Sequence, residues 1–420
     1  MIKVNRSKLY YAIIFFYCFA DLSFFYFIDT VKFSLFGISY TDILFVLNVF
    51  LFVYEFILNQ KGVLKLNFSI YLIIISICLA CTSAYAGYLT YGQAFFSGLV
   101  AQRLWVSSIL VIYPIYNWLN GEKITKEGLI KIISAIVVFY MMVMIAQYLL
   151  YDKVVFTHVA QNERYGETRL YFDISYLVFI SGFAIEAILE RKKKIKPIIY
   201  VLVILACITF ITKGRMATLS LCIGAMCSML IKKNGSIKKK LGMICLVAVC
   251  LLIFINTNMG KDIFNTVSGT TSENNTLAIR DDGRVYYLSM ISSSASSCLI
   301  GCGSANIHNK TAMKISSPYW KTYGTARFYL TDQGIIYGLY NYGILGISVY
   351  LILMVWSFKS AWRLYKREGR TAYLQYLIVQ LISCVTLVPD YFESSFLFPM
   401  YLILLNIENN RIKYEKQVNE

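Results

Sequence analysis

Long apolar runs separated by short polar segments recur along the whole chain. A helix needs about 20 mostly apolar residues to cross a bilayer, and these runs lack the alternation typical of barrel strands. The pattern therefore predicts an all-α polytopic membrane protein with about twelve transmembrane helices. The predicted helices cover residues 9–28, 41–58, 68–86, 99–118, 129–151, 171–189, 197–212, 215–231, 241–257, 330–356, 371–388 and 390–407.

The composition supports lipid as the main solvent. Hydrophobic residues make up 58% of the chain and charged residues 15%, whereas a soluble domain carries about 25% charged residues. The first apolar run, residues 9–28, has no small-residue cleavage site, so we expect it to be a retained helix and not a signal peptide.

The distribution of positive charge predicts the orientation. The net charge is +17, and 25 of the 40 Lys and Arg residues fall at the amino terminus, in alternate loops and in the tail. This is the positive-inside pattern. It explains the excess of basic residues without a nucleic-acid partner. Both termini are therefore expected in the cytoplasm.

The predicted organisation has three parts: helices one to nine in residues 1–257, a large extracytoplasmic loop at 258–329, and helices ten to twelve with a cytoplasmic tail at 330–420. Loops this long are usually functional. Within the loop, residues 284–297 are predicted to form an interfacial helix, which the glycines at 301 and 303 would end.

Ionisable residues concentrate on the predicted outer side, where charge near a bilayer is costly and points to function. The basic candidates are Arg103, Arg164, Arg169, Arg215, Arg280 and Arg284. The same side holds His308, Asp332, Asp390 and Glu393. Guanidinium groups bind phosphate oxygens bidentately, so we expect a lipid phosphate or pyrophosphate as ligand. Fixed arginines would stabilise a leaving pyrophosphate, and His308 or a carboxylate could accept a proton.

Structural roles are the alternative at every position. Arg103 could reach the headgroups, Arg164 and Arg169 could be solvated, and Arg215 could cap a turn. The remaining alternatives are pairing of Arg280 and Arg284 with Asp281 and Asp282, helix capping by Asp332, and a structural His308. Asp21, Asp42, Glu55 and Asp173 are assigned to helix packing, and no metal-ligand spacing is present.

Several motifs, in order, resemble the O-antigen polymerase and O-antigen ligase superfamily. The first is the turn TKGRMA, residues 212–217, between two predicted helices. The others are RVYYLSM from Arg284, a Gly-x-Gly turn, His308-Asn309, and YLTDQGIIYGLYNYGILG over 329–346. The motifs cover roughly 150 residues, and topology carries the resemblance over the rest.

The resemblance implies a metal-independent glycosyltransferase of the C type, without a cofactor, in the bacterial inner (plasma) membrane. Its substrate would be an undecaprenyl-pyrophosphate-linked oligosaccharide, bound through Arg215, Arg284 and Arg280, with His308 at the position of the ligase histidine. Asn309-Lys310 after His308 departs from the ligase His-x-Ser arrangement, which favours a polymerase. A ligase and a lipid-oligosaccharide flippase are the alternatives, although transporters commonly show internal repeats. A chain-length regulator and a separate flippase are expected partners.

Overall fold

The computed structural model describes residues 6–35, 38–58, 67–151, 153–164, 167–190, 195–232, 276–319, 327–393 and 396–419. These ranges are mostly helical, with two short antiparallel hairpins, β1–β2 (Ser34–Leu35, Ile38–Ser39) and β3–β4 (Gln161–Arg164, Glu167–Leu170). Up to the undescribed segment at 233–275, the α-helices are α1 Arg6–Asp21, α2 Tyr40–Leu58, α3 Phe68–Tyr91, α4 Phe95–Ala101, α5 Arg103–Leu110, α6 Ile112–Asn120, α7 Lys126–Leu150, α8 Ser175–Glu190, α9 Ile195–Ala206 and α10 Arg215–Ile231. Beyond it they are α11 Thr276–Ile291, α12 Ala295–Ile300, α13 Lys310–Ser316, α14 Ile335–Glu368, α15 Ala372–Ser383 and α16 Leu397–Asn419.

The all-α prediction is confirmed. The predicted ninth helix, 241–257, and residues 258–275 and 320–326 of the long loop lie outside the described residues, and each of the other eleven predicted segments contains a helix. Among the described helices, α2, α3, α7 and α14 are each long and apolar enough to cross a membrane. The pair α4 and α5–α6, bent by 58°, could form a fifth span. The figure of twelve spans stays a prediction.

Three predicted helices start or break differently, for local reasons. The run 99–118 breaks at Gln102, whose side chain donates to the carbonyl oxygens of Ala80 and Gly98. Helix α14 is interrupted at Gly343, which has a φ of +63°. Helix α16 begins at Leu397, so that Pro399 lies in its first turn, where a missing N–H costs nothing.

Hydrogen bonds join the same end of many helices, which we call the loop end. These bonds are His158 N–H to Tyr26 O (2.7 Å), Arg169 Nε to Thr212 O (2.7 Å), Gln93 Nε2 to Ser304 O (2.7 Å) and Ile335 N–H to Cys384 O (2.9 Å). The opposite end is joined by ion pairs, such as Lys123 with Glu55 (3.2 Å) and Lys126 with Glu408. The described helices that these contacts join therefore run in alternating directions between the two ends.

The described part of the long loop packs on the loop end through α11. Tyr287 is fully buried against Tyr340 of α14, and its hydroxyl donates to the carbonyl oxygens of Ser316 (2.9 Å) and Phe328 (3.2 Å). Burial raises the pKa of Tyr287 above its ordinary value, so the hydroxyl stays a donor.

The predicted helix over 284–297 is displaced toward the amino terminus. It runs from Thr276 to Ile291, and a second helix, α12, then begins after Ser294, whose hydroxyl accepts from Ser297 N–H at 3.0 Å. A serine cap starts a new helix because its side chain satisfies an N–H that has no helical partner. The Gly-x-Gly turn ends α12 as predicted, with a φ of +83° at Gly301.

Candidate functional site

A first basic group forms where the β3–β4 hairpin meets the turn before α10. Arg169 of β4 donates through Nε to the carbonyl oxygen of Thr212 at 2.7 Å, and its guanidinium lies 4.1 Å from the centre of the Tyr171 ring. Lys213, in the turn, is buried and has a left-handed φ of +50°. Arg215 is the first residue of α10. The structure therefore brings together two predicted site residues, Arg169 and Arg215, with a third cation between them.

The backbone of this turn is suited to an anion. Helix α10 has 17 residues, and the first N–H groups of a helix have no partner in it. Together with the helix dipole, they favour negative charge at that end. Strained left-handed residues such as Lys213 cluster at functional sites.

A second basic group lies on α11. Arg280 pairs with Asp332 at 3.6 Å, and Arg284, one turn further along the helix, pairs with Asp281 at 3.1 Å. Asp332 therefore does not cap α14, which begins after Gly334. Both arginines are only partly buried and their ion pairs are partly solvated, so each can exchange its carboxylate for a phosphate at little cost.

Gln333, the residue after Asp332, is buried close to α11. A Cβ at Gly283, between the two arginines, would lie 2.8 Å from the Gln333 amide nitrogen, and Gln333 is 2% exposed. We predict that Gly283→Leu displaces Gln333, weakens the Arg280–Asp332 pair and lowers the unfolding free energy by about 1 to 3 kcal/mol. Thermal unfolding in detergent measures this, with Val285→Leu on the exposed side of α11 as the matched control. Equal melting temperatures for the two variants would contradict it.

Arg103 and Arg164 are placed elsewhere. Arg103 donates through Nε to Asp42 (2.8 Å), through Nη1 to Val100 O (2.9 Å) and through Nη2 to Thr41 (3.1 Å). It therefore joins α5 to the start of α2, where Asp42 was correctly assigned to helix packing. Arg164 ends β3, opposite Glu167 in the hairpin register.

His308 is exposed on a firmly held loop. Its N–H donates to Asn306 Oδ1 at 2.9 Å. Asn306 is buried, donates to Ser97 O at 3.0 Å through Nδ2, and donates to Gln93 Oε1 at 3.2 Å through its own N–H. A loop clamped in this way can present an imidazole with a fixed backbone.

The same loop approaches α3 closely at Gly303. Its φ is +85°, and a Cβ there would lie 2.2 Å from Gly87 N. The neighbouring Cys302 is buried, which raises the pKa of its thiol to about 12 and keeps the thiol neutral. Cys298 and Cys302 are both free thiols.

A cavity of about 480 Å³ opens at the loop end, and we call it the acidic cavity. Its lining includes Asp173 and Ser175, shortly after Arg169 in the chain, and Thr331, next to Asp332. Residues adjoining both basic groups therefore contribute to one cavity. The other lining residues used below are Asp21, Tyr337, Phe392 and Glu393.

Protein donors fix two of the three lining carboxylates. Asp21 accepts from the Tyr176 hydroxyl at 2.8 Å, and Asp173 accepts from Ser175 N–H and Oγ at 2.8 and 2.6 Å. The Glu393 N–H donates to Asp390 O at 3.3 Å, but its carboxyl group has neither a hydrogen bond nor an ion pair to any residue that the structure describes. Close by, Asp390 is held by the Tyr376 hydroxyl at 2.6 Å and by Gln380.

Sequence reasoning missed Asp21 and Asp173, which were assigned to helix packing. The feature that marks this region is visible only in the backbone. Four consecutive residues shortly after Asp21, Ser23–Tyr26, are left-handed, with φ between 51° and 61°. Each such residue costs roughly 1–2 kcal/mol. The turn is held by His158 N–H on Tyr26 O and by Asp173 N–H, which donates to the Tyr26 hydroxyl at 3.2 Å.

In the ranges that the structure covers, no three His, Cys, Asp or Glu side chains are arranged to hold a metal ion. The three lining carboxyl groups share the acidic cavity.

Comparison with known proteins gives one family match. Residues 200–351 match the family model described as O-antigen ligase. The matched region includes the turn before α10, α11 and the beginning of α14, and it confirms the resemblance to the O-antigen polymerase and ligase superfamily. No curated protein matches the chain significantly.

Proposed function

We propose, from the match of residues 200–351 to the O-antigen ligase family, that this protein polymerises lipid-linked oligosaccharide repeats. The apolar helices and the family together indicate a membrane protein of surface polysaccharide biosynthesis with a glycosyl-transfer activity. The proposed donor is a glycan on undecaprenyl pyrophosphate. The proposed location is the outer face of the bacterial plasma membrane, with both chain ends in the cytoplasm.

The first basic group carries this proposal. Arg169, Lys213 and Arg215 meet at the amino end of α10, where charge, donors and helix dipole all favour an anion. A pyrophosphate bound there would lie beside the acidic cavity, because Asp173 follows Arg169 on the same segment. Arginine forks match the oxygens of a pyrophosphate better than a point charge does.

The reaction joins a hydroxyl of one glycan to the anomeric carbon of another. A new carbon–oxygen bond forms as the bond from that carbon to the pyrophosphate oxygen breaks, and the undecaprenyl pyrophosphate leaves with the bonding pair. The hydroxyl proton passes to a base on the protein. Fixed cations stabilise the charge that grows on the leaving oxygen, and such electrostatic stabilisation commonly lowers the barrier more than any other single effect.

Other residues take supporting roles in the proposal. Arg280 and Arg284 bind phosphate oxygens from α11, and Asp332 orients Arg280. His308, exposed on its clamped loop, is the proposed proton acceptor, because a positioned imidazole nitrogen can take a proton from a hydroxyl group. Arg103 is left out, since its three nitrogens already donate within the protein. A flippase would supply substrate and a chain-length regulator would set polymer size.

Gene deletion distinguishes a polymerase from a ligase. A ligase is the second candidate because the matching family model is described as O-antigen ligase. We expect a deletion strain to carry single-repeat glycans on its surface, and to regain a full ladder when the wild-type chain is returned. Electrophoresis of surface glycans and of extracted lipid-linked glycans measures both. Long polymer accumulating on the lipid carrier would instead identify a ligase. An unchanged ladder would overturn both functions.

A further inference from the structure

The acidic cavity is lined by carboxyl side chains. Asp21, Asp173 and Glu393 line it, and Asp390 lies next to it, whereas its lining contains no Lys, Arg or His among the residues that the structure describes. Clefts lined by one sign of charge focus that field. The basic groups that suit pyrophosphate are therefore adjacent to a cavity that suits the opposite kind of ligand.

The remaining lining has the chemistry of a sugar-binding surface. Tyr337 and Phe392 supply aromatic rings, and Ser175 and Thr331 supply hydroxyl groups. Carboxylates accept hydrogen bonds from sugar hydroxyls, and aromatic faces pack against the apolar side of a sugar ring. A volume of about 480 Å³ is within the range of small-molecule sites.

The cavity also offers an acceptor without a partner in the described protein. The Glu393 carboxyl group makes no hydrogen bond or ion pair to any described residue, whereas Asp21 accepts from one protein donor and Asp173 from two. Fixed acceptors bind a hydroxyl without first having to reorganise. Glu393 can then take the hydrogen bond that the protein leaves open.

We propose that the acidic cavity binds the acceptor end of the glycan and selects sugars that are neutral or carry an amino group over sugars that carry a carboxylate. This inference rests on the proposed function, since it assigns the second substrate of the same site. Ionised carboxyl groups in the lining repel a sugar carboxylate, and the same groups, ionised or neutral, accept hydrogen bonds from hydroxyl and ammonium donors. Like charges a few ångströms apart in a partly solvated site change affinity by about tenfold or more.

Matched disaccharides test the selection. The full-length protein in nanodiscs is titrated with cellobiose, lactose and maltose, each beside its counterpart oxidised to a carboxylate at the terminal C6, and saturation-transfer NMR reports binding. In the wild type, we expect the neutral members to bind at least about tenfold more tightly than the oxidised ones. In Asp173→Asn/Glu393→Gln, we expect the ratio to fall below about threefold.

Two further variants distinguish charge selection in the cavity from overall sugar affinity and from the net charge of the protein. Tyr337→Ala should weaken binding of both members of each pair while leaving their ratio unchanged. Asp29→Asn/Glu122→Gln removes the same two charges from residues outside the cavity lining, and it should leave the ratio at the wild-type value. An equal ratio in wild type and cavity variant overturns the proposal, as does a wild type that binds none of the neutral disaccharides.

The outcome is independent of the test of polymerisation. If the deletion strain keeps its ladder but the purified protein discriminates as expected, the subsite stands and the polymerase assignment fails. If the ladder collapses to single repeats but the binding ratio does not depend on Asp173 and Glu393, polymerisation stands and the assignment of the acceptor subsite fails.

Discussion

Arg215→Ala should reduce glycan extension by roughly 100-fold or more, because it removes a fixed cation from the position where charge develops on the leaving pyrophosphate. Arg215 opens α10, and Arg169 is bonded to the turn just before it. Losing one guanidinium therefore removes its charge and its forked donors together. The measurement is the rate at which purified protein extends lipid-pyrophosphate-linked repeats, with the ladder in cells as a second readout.

The controls separate binding geometry from charge and from folding. Arg215→Lys keeps the charge but loses the planar fork, so its rate should fall between those of wild type and Arg215→Ala. Arg363→Ala makes the same change at an exposed position of α14 near the opposite end, and its rate should equal that of the wild type. A full-length glycan ladder in cells that carry Arg215→Ala would contradict the proposed binding of pyrophosphate by the turn.

The helices were the most predictable part of this protein, because a long apolar run in lipid has few alternatives to a helix. Their ends were less predictable. Pro399 explains after the fact why α16 starts at Leu397 and not at Asp390, and Gly343 explains the interruption of α14. Each is a local effect that is missed when boundaries are placed from apolar length alone.

The candidate site was predictable only in its basic residues. Lone charges near a membrane are costly, and this alone singled out Arg169, Arg215 and Arg280. The sequence could not show that Arg169 reaches the Thr212 carbonyl, 43 positions along the chain, because that contact depends on how the hairpin folds over α10. For the same reason the ion pair between Arg103 and Asp42 separated Arg103 from the site.

The carboxylates could be predicted only as packing residues. For Asp21 that assignment agrees with its hydrogen bond from Tyr176 of α8, but the sequence did not show that Asp21 and Asp173 also line one cavity. They come from separate segments and meet at the acidic cavity only through the left-handed turn Ser23–Tyr26. Four consecutive non-glycine residues with positive φ have no signature in composition or periodicity. Cavities formed by such turns are therefore invisible until the backbone is seen.

Glu408→Gln should destabilise the end opposite the site by about 2 to 4 kcal/mol, because it leaves neighbouring cations without their shared carboxylate. Glu408 is 5% exposed. It pairs with Lys126, with Arg370 at 3.0 Å and with Arg411 at 3.1 Å. We expect the melting temperature in detergent to fall by about 5 °C or more.

The pH dependence identifies the cause. Burial alone would raise the pKa of Glu408, but the hydrogen bond and charge of Lys126, with the charges of Arg370 and Arg411, hold it below its ordinary value. The stability that an ionised Glu408 contributes is therefore present above the pKa of an unfolded glutamate and is lost as the pH falls through the lowered folded value. The difference in melting temperature between wild type and Glu408→Gln should be largest near pH 7 and should shrink below about pH 4. Glu415→Gln, an exposed position on the same helix, should melt like the wild type. A gap that stays constant down to pH 3 would show that lost packing, and not lost charge, destabilises the variant.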